Sequence, residues 1–320
     1  MTKKFDVISI GETMIMLSPP DHHLIETTHS LNAYLGGAES NLVIALQHLG
    51  LKTAWISKLP KSALGYWIAN KLRSYGVDTS QIIWTPDGRV GLFFVEFGAH
   101  PRPTKTIYDR SQSTTSTLSP EEIDYQHLIQ THVIHQTGIT PALSPSCSET
   151  TLSVAMAAQE AKVIHSFDVN YRSLLWDSCE AQNTLNRILP FTNILIVTSQ
   201  DTYMLLEDKL KPEEAAKQLH KEYNSDVVVI TMGGKGSLAY SKGKTYKGPV
   251  HEIKEVNRLG AGDAYDAGFI YGFLKGGVQE GLIYGSALAA LKYTMPLNIA
   301  IVELKDVENL IKGSSTQLQR

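Results

Sequence analysis

Short apolar segments separated by helix-length stretches recur through most of this 320-residue chain, and their spacing limits the fold more than any other feature. Phe5–Ile10, Thr53–Ser57, His132–Gln136, Val163–Val169, Ile194–Val197 and Val227–Thr231 each read as a buried strand. Strands that alternate with helices predict an α/β fold with a mostly parallel, doubly wound sheet and right-handed crossovers. The helices carry their own boundaries. Leu42, Val43, Leu46 and Leu49 face inward in one that stops at Gly50. Ile68, Leu72 and Tyr75 share a face of the next, which follows Gly65 and closes at Gly76. A hairpin near Leu238–Lys247 and two closing helices complete the pattern.

Two stretches break it. Residues 12–36 are poorly helical, with Pro19, Pro20 and the polar Glu26-Thr27-Thr28-His29-Ser30. Residues 87–115 place Val90, Leu92 and Phe94, then Ile107 and Tyr108, on either side of Pro101-Arg102-Pro103, which reads as a hairpin. The two excursions predict a small β-sheet (12–36 and 87–115) beside a large α/β/α domain (1–11, 37–86 and 116–320).

Composition excludes several classes of function. A net charge of −3 provides no general attraction for nucleic acid or acidic membranes. No apolar run reaches the roughly 18 residues that span a bilayer. The first apolar run is too short, and lacks the cleavage context, for a secretory signal, so the chain reads as cytoplasmic. Cys147 and Cys179 lie far apart and form no disulfide framework. The eleven histidines show no metal-ligand spacing, and neither a G-x-S-x-G elbow nor the dinucleotide fingerprint is present. Lys312–Arg320 is a polar tail, expected to fray.

The stretch Asn257-Arg258-Leu259-Gly260-Ala261-Gly262-Asp263 carries the most chemistry. Its glycines tighten a turn ahead of a helix whose Ala267, Ile270, Tyr271 and Leu274 recur at helical spacing. Such a turn leaves unpaired N–H groups at a positive helix end, where an anion can sit. Asp263 beside that anion is a poor structural choice unless it takes a proton from a hydroxyl that attacks a phosphate. A helix start with glycines for close packing is the alternative.

Five segments together resemble the ribokinase-like (PfkB) carbohydrate kinases, and within them the 2-keto-3-deoxygluconate kinases. They are Gly36-Gly37-Ala38-Glu39-Ser40-Asn41, Thr137-Gly138-Ile139-Thr140-Pro141-Ala142-Leu143-Ser144, Asp168-Val169-Asn170-Tyr171-Arg172-Ser173-Leu174-Leu175-Trp176, Gly260-Ala261-Gly262-Asp263 and Ala290-Leu291-Lys292-Tyr293-Thr294-Met295-Pro296. The matches run in order over nearly the whole chain. The resemblance implies a three-layer α/β/α domain with a small β-sheet lid that often also forms a dimer contact. It implies ATP and Mg2+ as cofactors and a sugar or sugar acid, foremost 2-keto-3-deoxygluconate, as acceptor. A neutral-sugar kinase and a catalytically weak binding protein of the same fold are the alternatives.

The same resemblance assigns roles. Asp263 is the expected base, with the N–H groups of Gly260, Ala261 and Gly262 as anion hole. Gly37, Ala38, Glu39 and Asn41 form the sugar segment, with Glu12 and Asn298 at the same pocket. Tyr108 and Arg110 on the lid are expected to meet the acceptor carboxylate, for which a guanidinium fork is suited. Arg172 is expected at either that carboxylate or the ATP phosphates. Asn170, Thr231, Gly233, Gly234, Gly236 and Ser237 are expected near the nucleotide, together with Gly260 and Gly262, while Lys235 faces solvent. The chain departs from the family at Asn257, where an acid is common, and at Ser199-Gln200-Asp201-Thr202, which lacks the magnesium-associated glutamate. It departs again at Leu297-Asn298, where Gly-Asp is usual.

Overall fold

The first apolar segment becomes an interior strand, paired on both edges. The computed structural model describes residues 3–99 and 101–313, so the tail expectation beyond Gly313 lies outside the described residues. In chain order the strands are β1 (Phe5–Ile10), β2 (Met14–Ser18), β3 (Asn32–Gly36), β4 (Thr53–Ile56), β5 (Lys58–Pro60), β6 (Ile83–Thr85), β7 (Leu92–Glu96) and β8 (Lys105–Asp109). After them come β9 (Thr131–Thr137), β10 (Ile164–Asp168), β11 (Ile194–Thr198), β12 (Val227–Thr231), β13 (Ser237–Ser241) and β14 (Lys244–Lys247). The helices are α1 (Ala38–His48), α2 (Ala63–Ser74), α3 (Tyr125–Leu128), α4 (Pro145–Glu160), α5 (Ser178–Ile188), α6 (Thr202–Leu206), α7 (Pro212–Tyr223), α8 (Ala261–Gly276), α9 (Val278–Tyr293) and α10 (Leu304–Ile311).

The large sheet runs β14-β13-β12-β11-β10-β9-β1-β4. Its pairs from β4 to β12 are parallel and the last two antiparallel. Helices cover both faces. Val7, Val133, Ile194 and Val229 pack towards α1, α8 and α9, while Ile10, Ile134, Phe167, Leu195 and Val228 pack towards α4, α5 and α7. This is the expected doubly wound α/β architecture. Three helices rather than two follow the glycine-rich turn, because the polar-flanked Leu304–Ile311 still buries Val307 against the core.

The second sheet has the order β3-β2-β7-β8, built from the two predicted excursions. The expected hairpin across Pro101-Arg102-Pro103 forms as the antiparallel pair β7 and β8. Phe93 and Val95 are buried with Met14 and Met16, while Leu92 and Phe94 on the other face are half-buried. A one-residue shift exchanges the faces of a strand, and the run Phe93-Phe94-Val95 leaves its alternation ambiguous. A two-stranded sheet of β5 and β6 was not legible in the sequence. Among the described residues no helix is long and apolar enough to cross a membrane.

Candidate active site

The chain goes from β1 to β4 on one side, and from β9 to β10 on the other. The carboxyl ends of β1 and β9 therefore flank a topological switch point, where open α/β sheets leave a crevice. A cavity of about 690 Å³ opens there, and the small sheet supplies part of its wall. Glu12, Gly37, Ala38, Glu39, Asn41, Tyr108, Arg110, Arg172, Gly260, Asp263 and Asn298 all line it. Residues that are up to 286 positions apart in the sequence thus meet in one place.

Gly260 caps α8 with a left-handed φ of 76°, and a Cβ there would overlap the Asn298 carbonyl. Gly260→Ala is expected to destabilise the fold by roughly 2–4 kcal/mol, from the left-handed backbone and the displaced carbonyl, as read by denaturant melting. A Cβ on Gly262, by contrast, would meet nothing within 4 Å. Open space therefore lies over the first turn of α8, where a helix has no acceptor of its own for its N–H groups. The expected three-donor hole is smaller than the sequence suggested. The Ala261 N–H is already donated to the Arg258 carbonyl at 3.2 Å.

Asp263 stands in that first turn. Asn41 Nδ2 donates to its Oδ2 at 2.7 Å, and Asn298 Nδ2 donates to Asn41 Oδ1 at 3.3 Å and to Leu35 O at 2.9 Å. The Asn41 amide, expected in the sugar segment, is therefore engaged within the protein through both its nitrogen and its oxygen. Burial pushes the Asp263 carboxyl up, opposed by the Asn41 hydrogen bond and by the charges of Arg172 and Lys292. Glu39 is turned inward. Its Oε1 accepts from Thr137 Oγ1 at 2.8 Å and Thr140 Oγ1 at 2.9 Å, and burial raises it to about 7.

Sequence reading missed that Asp263 belongs to a carboxylate cluster. Burial and the nearby Asp263 charge raise Asp168 to about 7, and burial and Asp168 raise Asp266 as well. The i,i+3 spacing of Asp263 and Asp266 was the available signal. Asn170 Nδ2 donates to Asp168 Oδ2 at 2.8 Å, so its amide serves this cluster. Arg172 is exposed, makes no ion pair among the described residues, and acts electrostatically on Asp168, Asp201 and Asp263.

Arg110 differs from the free lid cation the sequence suggested. Its Nε donates to Glu12 Oε2 at 2.9 Å, its Nη2 makes a second bond to the same oxygen, and Ser113 Oγ donates to Oε1. The Glu12 side chain is 1% exposed and that of Arg110 only 10%. Tyr108 stacks on Phe93 with ring centroids 5.6 Å apart. Phe93, Thr106, Gln112, Leu143 and Leu174 also line the cavity and were not singled out in the sequence, where the first three stand in no motif and the two leucines stand in family-like segments without a role of their own.

Thr231, Gly233, Gly234, Gly236 and Ser237 do not line this cavity. They form a tight connection from β12 to β13 at the same edge of the sheet, and Lys235 is exposed as expected. Gly233 and Gly234 present bare backbone to open space. A Cβ on Gly236 would crowd Val250, and exposed apolar side chains continue along that coil at Ile253 and Val256.

The pfkB family carbohydrate kinase model matches residues 4–301. The chain belongs to the pfkB family of carbohydrate kinases. This pfkB protein is 37% identical to a 2-dehydro-3-deoxygalactonokinase of Haloferax volcanii over 316 residues, covering 98% of this chain and 99% of that one. It is 30% identical to a 5-dehydro-2-deoxygluconokinase of Bacillus licheniformis, with 98% of each chain covered. Among solved structures, a 2-dehydro-3-deoxygluconokinase of Thermotoga maritima superposes with a TM-score of 0.92 at 31% identity, covering 97% of this chain and 98% of that one. The pfkB protein is accordingly a sugar kinase, with the ribokinase-like fold that its motifs implied.

Proposed function

We propose that this pfkB protein transfers the γ-phosphoryl group of ATP to the terminal hydroxyl of a 2-keto-3-deoxy sugar acid, with 2-keto-3-deoxygluconate first and its galactonate epimer next. The observation that carries the reading is Asp263 beside the open first turn of α8, on the wall of a cavity lined by Tyr108, Arg110 and Arg172. A volume of about 690 Å³ suits a small polyol with part of a nucleotide. The names and identities of the relatives support a keto-deoxy acid as acceptor.

In this reading the acceptor oxygen attacks the γ-phosphorus as its proton passes to Asp263. The bond from phosphorus to the β,γ-bridging oxygen breaks, and ADP leaves. Asn41 occupies Oδ2, which leaves Oδ1 as the oxygen that takes the proton. Backbone N–H groups at the start of α8 stabilise charge on the phosphoryl oxygens. Arg172, near the carboxylate cluster, serves the phosphates, while the Arg110 and Tyr108 side of the cavity receives the acceptor carboxylate. The β12–β13 connection and the Val250–Val256 coil receive the nucleoside. Among the described residues no three His, Cys, Asp or Glu side chains could together hold an ion. Asp201 would hold a magnesium through water, with the nucleotide phosphates as its other partners. When bound, that ion neutralises charge on the β- and γ-phosphates.

One observation favours a second reading, a neutral sugar as acceptor. The Arg110 charge is already neutralised by Glu12. An ADP-release assay with 2-keto-3-deoxygluconate, 2-keto-3-deoxygalactonate, 5-keto-2-deoxygluconate, fructose and ribose separates the two. The first two are expected to give the highest kcat/KM, by at least about tenfold, equivalent to one well-made ionic contact. A neutral sugar in first place removes the carboxylate from the proposal. Ligand binding without any turnover favours a protein that kept the fold and lost the chemistry.

A further inference from the structure

Lys58 and Lys292 are the buried lysines among the described residues. Lys58 has a carboxylate partner, Glu122, at 2.7 Å. Lys292, in the last turn of α9, is 0% exposed and makes no ion pair among the described residues. Its Nζ donates instead to the main-chain carbonyl of Asn257 at 3.1 Å. Burying an ammonium without a carboxylate partner costs several kcal/mol, so a methionine would serve packing better. The location of the charge is the informative point. Asn257 opens the turn that leads to Gly260 and Asp263. Its Nδ2 donates to Pro296 O at 2.7 Å, its Oδ1 accepts from Leu259 N at 3.0 Å, and its N–H donates to Tyr293 O at 3.2 Å. The anion-binding turn therefore rests on the end of α9, with an ammonium at the joint. Burial lowers that ammonium to about 8, while Asp263 and Glu255 help to keep it charged.

We propose that Lys292 is a positioning residue, a built-in cation beneath the start of α8 that fixes the Asn257–Gly260 turn and adds positive potential where the phosphoryl group is transferred. The inference rests on the phosphoryl-transfer role proposed above for that turn. It also divides the work of Asn257, whose main-chain oxygen holds a cation that is part of the chain while its amide ties the turn to Pro296 and Leu259.

Lys292→Met removes the charge and keeps most of the volume. With the acceptor that the wild type uses best, kcat is expected to fall about 10²-fold, the scale of one lost oxyanion donor, with acceptor KM nearly unchanged. In Lys292→Ala, whose truncated side chain leaves room for the ion, ammonium chloride restores part of the loss, and sodium or choline chloride does not. Asp263 faces Glu39 from α1, Asp168 from β10, Asp266 from α8, and Arg172 and Lys292 as its cations. Without Lys292 the acid limb of kcat/KM therefore moves to higher pH. A folded variant with wild-type kcat overturns the proposal, as does a loss that ammonium leaves untouched with an unmoved pH profile. Should the variant not fold, lysine side-chain NMR of the wild type decides. An ammonium at pH 7 that persists with ADP–aluminium fluoride bound is expected, and a neutral amine overturns the proposal. The NMR arm needs no turnover, so it stands apart from any failure of the acceptor assignment.

Discussion

Asp263→Asn lowers turnover by about 10²–10⁴-fold, the range spanned by a general base, with little change in acceptor affinity. The substitution is nearly isosteric, and its amide oxygen still accepts from Asn41 Nδ2, now at 2.7 Å from the carboxylate. It removes only the ability to take a proton. The same substitution is expected to raise the melting temperature. Burial holds the Asp263 carboxyl above its ordinary value, which means that its ionised form opposes folding at neutral pH. A neutral amide removes that opposition and relieves Glu39, Asp168 and Asp266 of a neighbouring charge. The wild type should lose kcat/KM as pH falls through the raised carboxyl value, since only the ionised form accepts the proton. Wild-type turnover in the variant takes Asp263 out of the base role, and an unchanged melting temperature separates it from the carboxylate cluster.

Arg110→Leu has the second large effect, and it falls first on stability. Glu12 is buried with Arg110 as its ion-pair partner, and breaking such a pair from one side costs about 3–5 kcal/mol. Glu12→Gln combined with Arg110→Leu should recover more than half of that loss, because the amide leaves no buried charge behind. Denaturant melting of the four proteins in the cycle measures the coupling. An additive cycle shows that the pair contributes nothing. For the same reason, Arg110→Leu alone is a poor probe of the acceptor carboxylate. The informative quantity is the ratio of kcat/KM for a sugar acid and a neutral sugar, taken within one variant, where the stability loss cancels.

Much of the architecture was legible because its strands are buried on both faces, so runs such as Val227–Thr231 stand out in any environment. The candidate site was legible where backbone geometry forces a residue type. Gly260 needs a left-handed φ under a carbonyl, and the motif around it can be read locally. What could not be read were the partners. Nothing near Arg110 in sequence points to Glu12, 98 positions away, and nothing near Asp263 points to Asn41. A charged side chain looks the same in sequence whether it waits for a ligand or is already paired within the fold. Phe93 was missed for a simpler reason: consecutive apolar residues fit either face of a strand equally well.

The small sheet enters the chain as two insertions, one after β1 at the carboxyl edge of the large sheet and one after β6 of the two-stranded sheet. Phe93, Thr106, Tyr108 and Arg110 travel with those insertions, while Asp263, Gly262 and Lys292 belong to the body. Under the proposed roles, the part that recognises the acceptor is separable in sequence from the part that moves the phosphoryl group. A new acceptor can thus be accommodated by exchanging about fifty contiguous-in-space residues on one side of the cavity, with the helix joint of α8 and α9 left as it is. Glu12 is the exception, since it leaves β1 at the seam and clamps the inserted Arg110. Any graft of a foreign small sheet has to bring a mate for that carboxylate or replace it.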